Sequence, residues 1–368
     1  MQFKLAPIGI LSLTIGLSSC LQMEQKAIVN PDGSGSFTVE QKMNINAIKG
    51  MVGGLGLPGG ADAIGKKDPA KDAKEAHGSL VKMISSARGV DVWTDASSRT
   101  DADGTMVTRV SGYCKDITRL NISGGDSSGG AKMQGMDNLM SLEKSTDASG
   151  NLVLEVPLEK LFMEQSKQEN KEGGTPKTPA ERKAKRLQET QQMDMMAGMM
   201  GAMMKDAKMT FYYNFGQGEI LEHGAFKLIN PNTVSLEFKP MEMIAAFGKI
   251  MKDEKLGEIL DASAEFDPKN PEHKKVIAAL AEGMYGKNGL PRVVIKPKGN
   301  AINYAEASGK AKAAQSAELK TLLKEAEEAA KSAAENPFVI IFGHDVVVVS
   351  LPDSQCLLLR YRVRFPAA

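Results

Sequence analysis

The chain has 368 residues, with 46 basic and 45 acidic side chains and a net charge of +1. That balance argues against a polybasic surface for nucleic acid, whose phosphates need clustered Lys or Arg. After the N-terminus no stretch is long and apolar enough to cross a bilayer, and the length suits one large domain or two smaller ones.

The chain opens with Lys4 as its early positive charge, followed by the uncharged apolar run Leu5 to Leu17. About 13 residues at about 1.5 Å each give a helix of roughly 20 Å, too short to span a membrane. Small residues and a cysteine follow, Leu17-Ser18-Ser19-Cys20. Charge, apolar run and small residues are the three parts of a secretory signal. The cysteine directly after them resembles the bacterial lipobox. The resemblance implies that residues 1–19 are a signal peptide, that the Cys20 thiol carries palmitate-type acyl chains, and that the mature chain begins there. Two or more chains hold a protein stably on a membrane. Lys4 leaves with the signal, so basic and acidic residues are then equal in number. The expected location is the cell envelope, lipid-anchored and facing the periplasm or the outside. In lipoproteins of many diderm bacteria an Asp after the lipidated Cys retains the protein in the inner membrane. Leu21 stands there instead, which favours the outer membrane. Cys114 and Cys356 are the remaining thiols, and the sequence leaves open whether they pair or stay free.

In chain order, residues 25–30 and 36–43 read as strands across the turn Pro31-Asp32-Gly33-Ser34-Gly35. A short helix with Ile45, Ile48, Val52 and Leu55 on one face gives way to a Gly-rich stretch, 53–65. A helix is expected over 69–86. A β unit follows, with Val90, Val92 and Thr94 on one face and Trp93 on the other, returning at 106–113 over Asp103-Gly104. Residues 116–120 start a helix, 124–130 form a Gly/Ser loop, and 140–142 with 152–156 form a hairpin across 147–150. Residues 165–192 are Lys, Glu, Gln, Pro and Gly, with Leu187 almost the only large apolar side chain. Such a segment cannot offset its ordering entropy by burial and reads as a mobile insertion that becomes helical near Pro179. Strands are expected at 208–215, 225–229 and 233–238, and a helix over 241–260. Beyond these come a helix at 271–283, a strand at 292–296, and a long helix over 305–335 with Leu319, Leu322, Leu323 and Ala326 as its inner stripe. Residues 338–350 and 355–365 close as a hairpin over 351–354. In its last strand Arg360, Arg362 and Arg364 form one basic face, read as solvated. The fold class is α+β, antiparallel hairpins with packed helices. The expected parts are an α+β domain from 20–164 and 207–262, the charged, Met-rich insertion 165–206, and a C-terminal α+β region, 265–368.

Candidate chemistry is sparse. Gly60 to Lys67 approaches the phosphate-loop pattern, but Lys67 replaces the hydroxyl that would hold Mg²⁺ and no strand precedes it. Asp95, Asp101 and Asp103 do not have EF-hand spacing. His77, His223, His273 and His344 are scattered, and none sits in an H-E-x-x-H arrangement. No catalytic residue, cofactor or metal is therefore assigned. The unusual feature is Met193, Met195, Met196, Met199, Met200, Met203 and Met204. Helical spacing puts Met196, Met199, Met200 and Met203 on one adaptable apolar face, suited to packing, a partner helix or a membrane. Thioethers also suit Cu(I), but no His or Cys lies among them.

Three segments are similar to the LppM-like family of bacterial lipoproteins. They are the strand after Cys20 with Asn30 to Gly35, Gly89 to Trp93 leading to Tyr113-Cys114-Lys115-Asp116-Ile117, and Phe211 to Ile220 leading to Asn232-Thr233-Val234. The likeness covers roughly residues 21–245. It implies an anchored α+β envelope domain in contact with lipid or glycolipid, and supplies no catalytic residues. The expected function is a non-enzymatic envelope binding module for an apolar or lipid ligand or an envelope protein. Copper handling through the Met cluster is the alternative, and an envelope hydrolase the third reading.

Overall fold

The computed structural model describes residues 21–44, 69–122, 142–163, 178–204, 206–262, 266–286, 289–335, 338–342, 345–350 and 357–362. The short helix and Gly-rich stretch expected within 45–65, and the loop at 124–130, lie outside them.

Strands β1 (Leu21–Val29) and β2 (Gly35–Asn44) form the first hairpin. Alternation drives it: Met23, Gln25, Ala27 and Val29 are buried while Lys26 and Ile28 are exposed. In the turn Gly33 takes φ 89°, a conformation cheap only for glycine, and Asp32 Oδ1 accepts the Ser34 N–H at 2.9 Å. Helix α1 (Pro69–Ser86) spans the expected residues and buries Ala76, Leu80 and Met83. Strands β3 (Val92–Thr100) and β4 (Thr105–Cys114) follow, joined where the Gly104 N–H meets the Asp101 carbonyl at 2.9 Å. A bulge between Trp93 and Asp95 resets the phase of β3, leaving Thr94 exposed and Trp93 edge-on to Phe37 at 5.8 Å. The helix expected at 116–120 is a single 3₁₀ turn, Ile117–Arg119, capped by Asp116.

Strands β5 (Glu143–Thr146) and β6 (Leu152–Glu155) pair across the expected turn. Helix α2 (Pro179–Met204) begins with a reciprocal cap: Thr178 Oγ1 accepts the Glu181 N–H at 3.2 Å, and Glu181 Oε2 accepts the Thr178 N–H at 3.0 Å. Pro179 sits in the first turn, where its missing N–H is harmless. Strands β7 (Lys208–Asn214), β8 (Glu219–Glu222), β9 (Lys227–Asn230) and β10 (Thr233–Phe238) follow.

The stretch expected as one helix over 241–260 is two, α3 (Pro240–Lys252) and α4 (Glu254–Ala262). Asp253 between them is extended, and its carboxylate accepts the Leu256 N–H at 2.9 Å, starting the second helix as it ends the first. Helix α5 (Pro271–Tyr285) and strand β11 (Arg292–Lys296) come next. The long helix also divides, into α6 (Tyr304–Ala313) and α7 (Ala317–Glu335), where Ser316 Oγ accepts the Leu319 N–H at 3.1 Å. Leu319, Leu322 and Ala326 of the expected stripe are buried. Residues 338–350, read as one strand, form two: β12 (Phe338–Phe342) and β13 (Asp345–Ser350) pair with each other, and β14 (Leu357–Arg362) pairs with β13.

The large sheet has the order β3-β4-β2-β1-β7-β10-β9, and a smaller one the order β5-β6-β11-β8. Every pairing is antiparallel except β1 with β7. That parallel pair needs a crossover, which holds everything from β2 to α2. The fold is α+β with antiparallel-dominated sheets and packed helices. One core cluster runs from Met23 of β1 through Leu154 of β6 and Leu280 of α5 to Ala326 of α7. β11 lies between β6 and β8. Buried Asn30 exchanges two bonds with the backbone of Ile302, Nδ2 to the carbonyl at 3.0 Å and N–H to Oδ1 at 3.0 Å.

Candidate functional site

The alternation that buries one face of β1, β2, β7 and β10 turns charged and polar side chains to the other. On that outer face Glu24 lies opposite both Glu40 of β2 and Thr210 of β7, and Gln22 lies between Lys42 and Lys208. Like charges directly opposite are unfavourable, and lysines offset them here. Lys26 Nζ is 2.5 Å from Glu24 and Lys42 Nζ is 3.0 Å from Glu40. Glu24 accordingly holds the Lys26 ammonium above its ordinary pKa. Lys239 bridges Glu242 at 3.0 Å and Glu237 at 3.2 Å, and both raise its pKa.

A cleft of about 880 Å³ opens over this face and ends against α3 and the C-terminal end of α5. Glu24, Glu40, Lys42, Lys208, Thr210, Tyr212 and Glu237 come from the sheet, Lys249 from α3, and Glu282 and Tyr285 from α5. Among the described residues the side chains of Lys227, Lys249 and Glu282, all exposed, have no ion-pair or hydrogen-bond partner. The Tyr285 hydroxyl is buried with no partner among the described residues. The cleft thus offers free charges of both signs, which suits a polar ligand. An acyl chain laid here would desolvate those ions without compensation.

The tyrosines give a pH prediction. Burial, then the hydrogen bond to Asp91 at 3.1 Å, pushes Tyr304 up to about 12, and burial raises Tyr213 and Tyr285 as well. An unfolded tyrosine ionises near about 10. The stability these groups contribute is therefore complete below that pH and is lost as pH rises through the folded value. Urea midpoints should fall steeply between about pH 10 and 12, less so for Tyr304→Phe; equal slopes would contradict the assignment.

The second feature is the docking of α2. Arg186 is buried and grips Asp261 of α4 through two parallel contacts, Nε to Oδ1 at 3.0 Å and Nη2 to Oδ2 at 2.9 Å. Its Nη1 donates to the Met251 carbonyl, and Arg182 Nε donates to the Asp261 carbonyl at 2.5 Å. The last carbonyls of α3 and α4 are groups a helix end leaves unpaired, and cations are favoured beside them. Gly257 makes room, since a Cβ there would meet the Arg186 guanidinium. Residues 179–204 of the expected insertion are thus a docked helix, held by arginine where the sequence offered no apolar stripe. Leu187 is 48% exposed.

Met196, Met199, Met200 and Met203 occupy the last turns of α2, and their side chains lie outside the description. Met195 is 65% exposed. Cys20, the Gly60–Lys67 segment, His344 and Cys356 lie outside the described residues, as do the side chains of Arg360 and Arg362. Cys114 is a buried free thiol pushed up to about 12 by burial, then by Asp91 and Asp116. Asp103 accepts the Thr105 N–H at 2.9 Å and Asp101 pairs with Arg99 at 3.0 Å, so both serve the β3–β4 turn. His77 bonds Glu325 at 2.7 Å, His223 the Phe226 carbonyl at 2.7 Å, and buried His273 stacks on Phe266. The structure brings no two of these histidines together. The cleft residues were missed because their charges read only as a solvated strand face.

No protein-family model matches the chain, and no curated protein matches it. Among solved structures the chain is similar to the NMR structure of the folded domain of Mycobacterium tuberculosis LppM. The two share 12% identity over 61% of this chain and 84% of that one, with a TM-score of 0.25, a likeness that carries no argument about function.

Proposed function

We propose that the protein is a lipoprotein of the bacterial envelope, anchored through Cys20, whose folded domain binds a partner without catalysing a reaction. The observation that carries the reading is Leu17-Ser18-Ser19-Cys20 with the central strand beginning at the next residue, Leu21. An acylated Cys20 would leave almost no linker between bilayer and sheet. The open, charge-lined cleft favours a polar segment of an envelope protein over an apolar ligand as the occupant. Its carboxylates Glu24, Glu40, Glu237 and Glu242 are engaged by lysines, an arrangement for recognition rather than proton transfer.

Fractionation tests the anchor. The wild type should sediment with membranes, resist high salt and be released by detergent. Cys20→Ala should be exported and recovered in the soluble fraction. A variant that stays with membranes as firmly as the wild type would overturn the anchored reading.

A further inference from the structure

We infer that the Met-rich end of α2 rests on the bilayer that holds the anchor; the inference builds on the lipid-anchored reading above. Strand topology carries it. β1 begins at Leu21, immediately after the anchor cysteine in the sequence, so the N-terminal end of β1 is the membrane-proximal end of the sheet. β7 runs parallel to β1 with Lys208 beside Gln22, and α2 ends at Met204, four residues before Lys208. Four residues reach at most about 14 Å, and adjacent strands lie about 4.8 Å apart, so Met204 stands within roughly 19 Å of Gln22. α3 begins at the same end of the sheet, after Phe238, which pairs with Met209. α2 lies antiparallel to α3: a Cβ on Gly201 would be 3.9 Å from the Met241 side chain near the start of α3, and Asp194 pairs with Lys252 at its end. The helix therefore runs toward the anchor, with its methionines last.

Composition and exposure agree with that placement. Residues 193–204 carry one charge, Asp194, neutralised by Lys252 at 2.8 Å. The helix touches the protein along Arg186, Thr190 and Gly201. Met195 lies on the opposite side, and a Cβ on Gly198 would meet open space. Unbranched thioethers adapt to irregular apolar surroundings such as an acyl boundary. The anchor converts a weak apolar contact into an intramolecular one, so a few side chains suffice.

Tryptophan quenching reads the contact. Acylated full-length protein would be reconstituted on phosphatidylethanolamine–phosphatidylglycerol vesicles containing lipids brominated in their acyl chains. The natural Trp93 pairs with Gly112, toward the far end of the sheet, and serves as the distal reporter. Side chains of a surface-bound helix sit about 5–10 Å into the headgroup boundary, so Met195→Trp should show about threefold more quenching than the wild type. Leu187→Trp, earlier on the same helix, should fall between them. Vesicle-bound protein with no added quenching in Met195→Trp would overturn this inference and leave the anchor standing. Failure of the wild type to float with vesicles would overturn the anchored reading and this contact together.

Discussion

Arg186→Ala should destabilise the protein by about 3–5 kcal/mol, the cost of leaving one partner of a buried ion pair unpaired. The substitution strands the Asp261 carboxylate, 9% exposed, without the guanidinium that satisfies both its oxygens. It also removes the donor to the Met251 carbonyl at the end of α3. Because Arg186 joins α2 to α3 and α4 together, the loss should concentrate there. Hydrogen exchange over residues 186–204 should accelerate far more than over β1 and β2. Arg186→Lys should recover little, since an ammonium cannot reproduce the paired contact. A urea-unfolding change below about 1 kcal/mol would mean the pair is not buried in solution. The same interaction shows why deleting residues 165–206 is a poor probe of function: it would expose Asp261 and the flanks of α3 and α4.

Phe226→Ala should cost about 3–5 kcal/mol, the range for emptying a buried aromatic site. Phe226 lies in the turn from β8 of the small sheet to β9 of the large one, and is 1% exposed. Its ring meets Tyr213 edge-on at 6.2 Å. Two bonds fix its backbone, N–H to the His223 carbonyl at 2.7 Å and carbonyl to His223 Nδ1 at 2.7 Å. The truncated site cannot easily collapse between two sheets, so relaxation should recover little of the loss. Phe226→Leu should lose less, because most of the volume remains. Equal urea midpoints for Phe226→Ala and the wild type would show that the side chain does not join the two sheets.

Local chemistry made much of this fold legible. Alternating side chains marked β1 and the first half of β2, and Pro179 marked the start of α2, where the structure adds the Thr178/Glu181 cap. The helix breaks at Asp253 and Ser316 were missed because each turns on a single side-chain cap inside a run that stays helical in periodicity. β8 was missed because Glu219–Glu222 is short and at an edge, and its partner β11 is distant in sequence. The docking of α2 escaped notice for a different reason. Composition treats arginine as solvated, and only the structure supplies Asp261 and two helix ends to receive it. The lipobox-like motif on which the proposed anchor rests is contiguous, and so can be read from the sequence alone. The cleft was not legible, since pairing of β1, β2, β7 and β10 assembles it from residues far apart in the chain.

Intact-mass measurement of the protein from its native membrane, beside Cys20→Ala, tests the central claim most directly. The prediction is a chain beginning at Cys20 with the added mass of its acyl chains, and no such species from the variant. An unacylated chain, or one cleaved elsewhere, would contradict the anchor and the membrane-facing placement of the Met-rich helix with it.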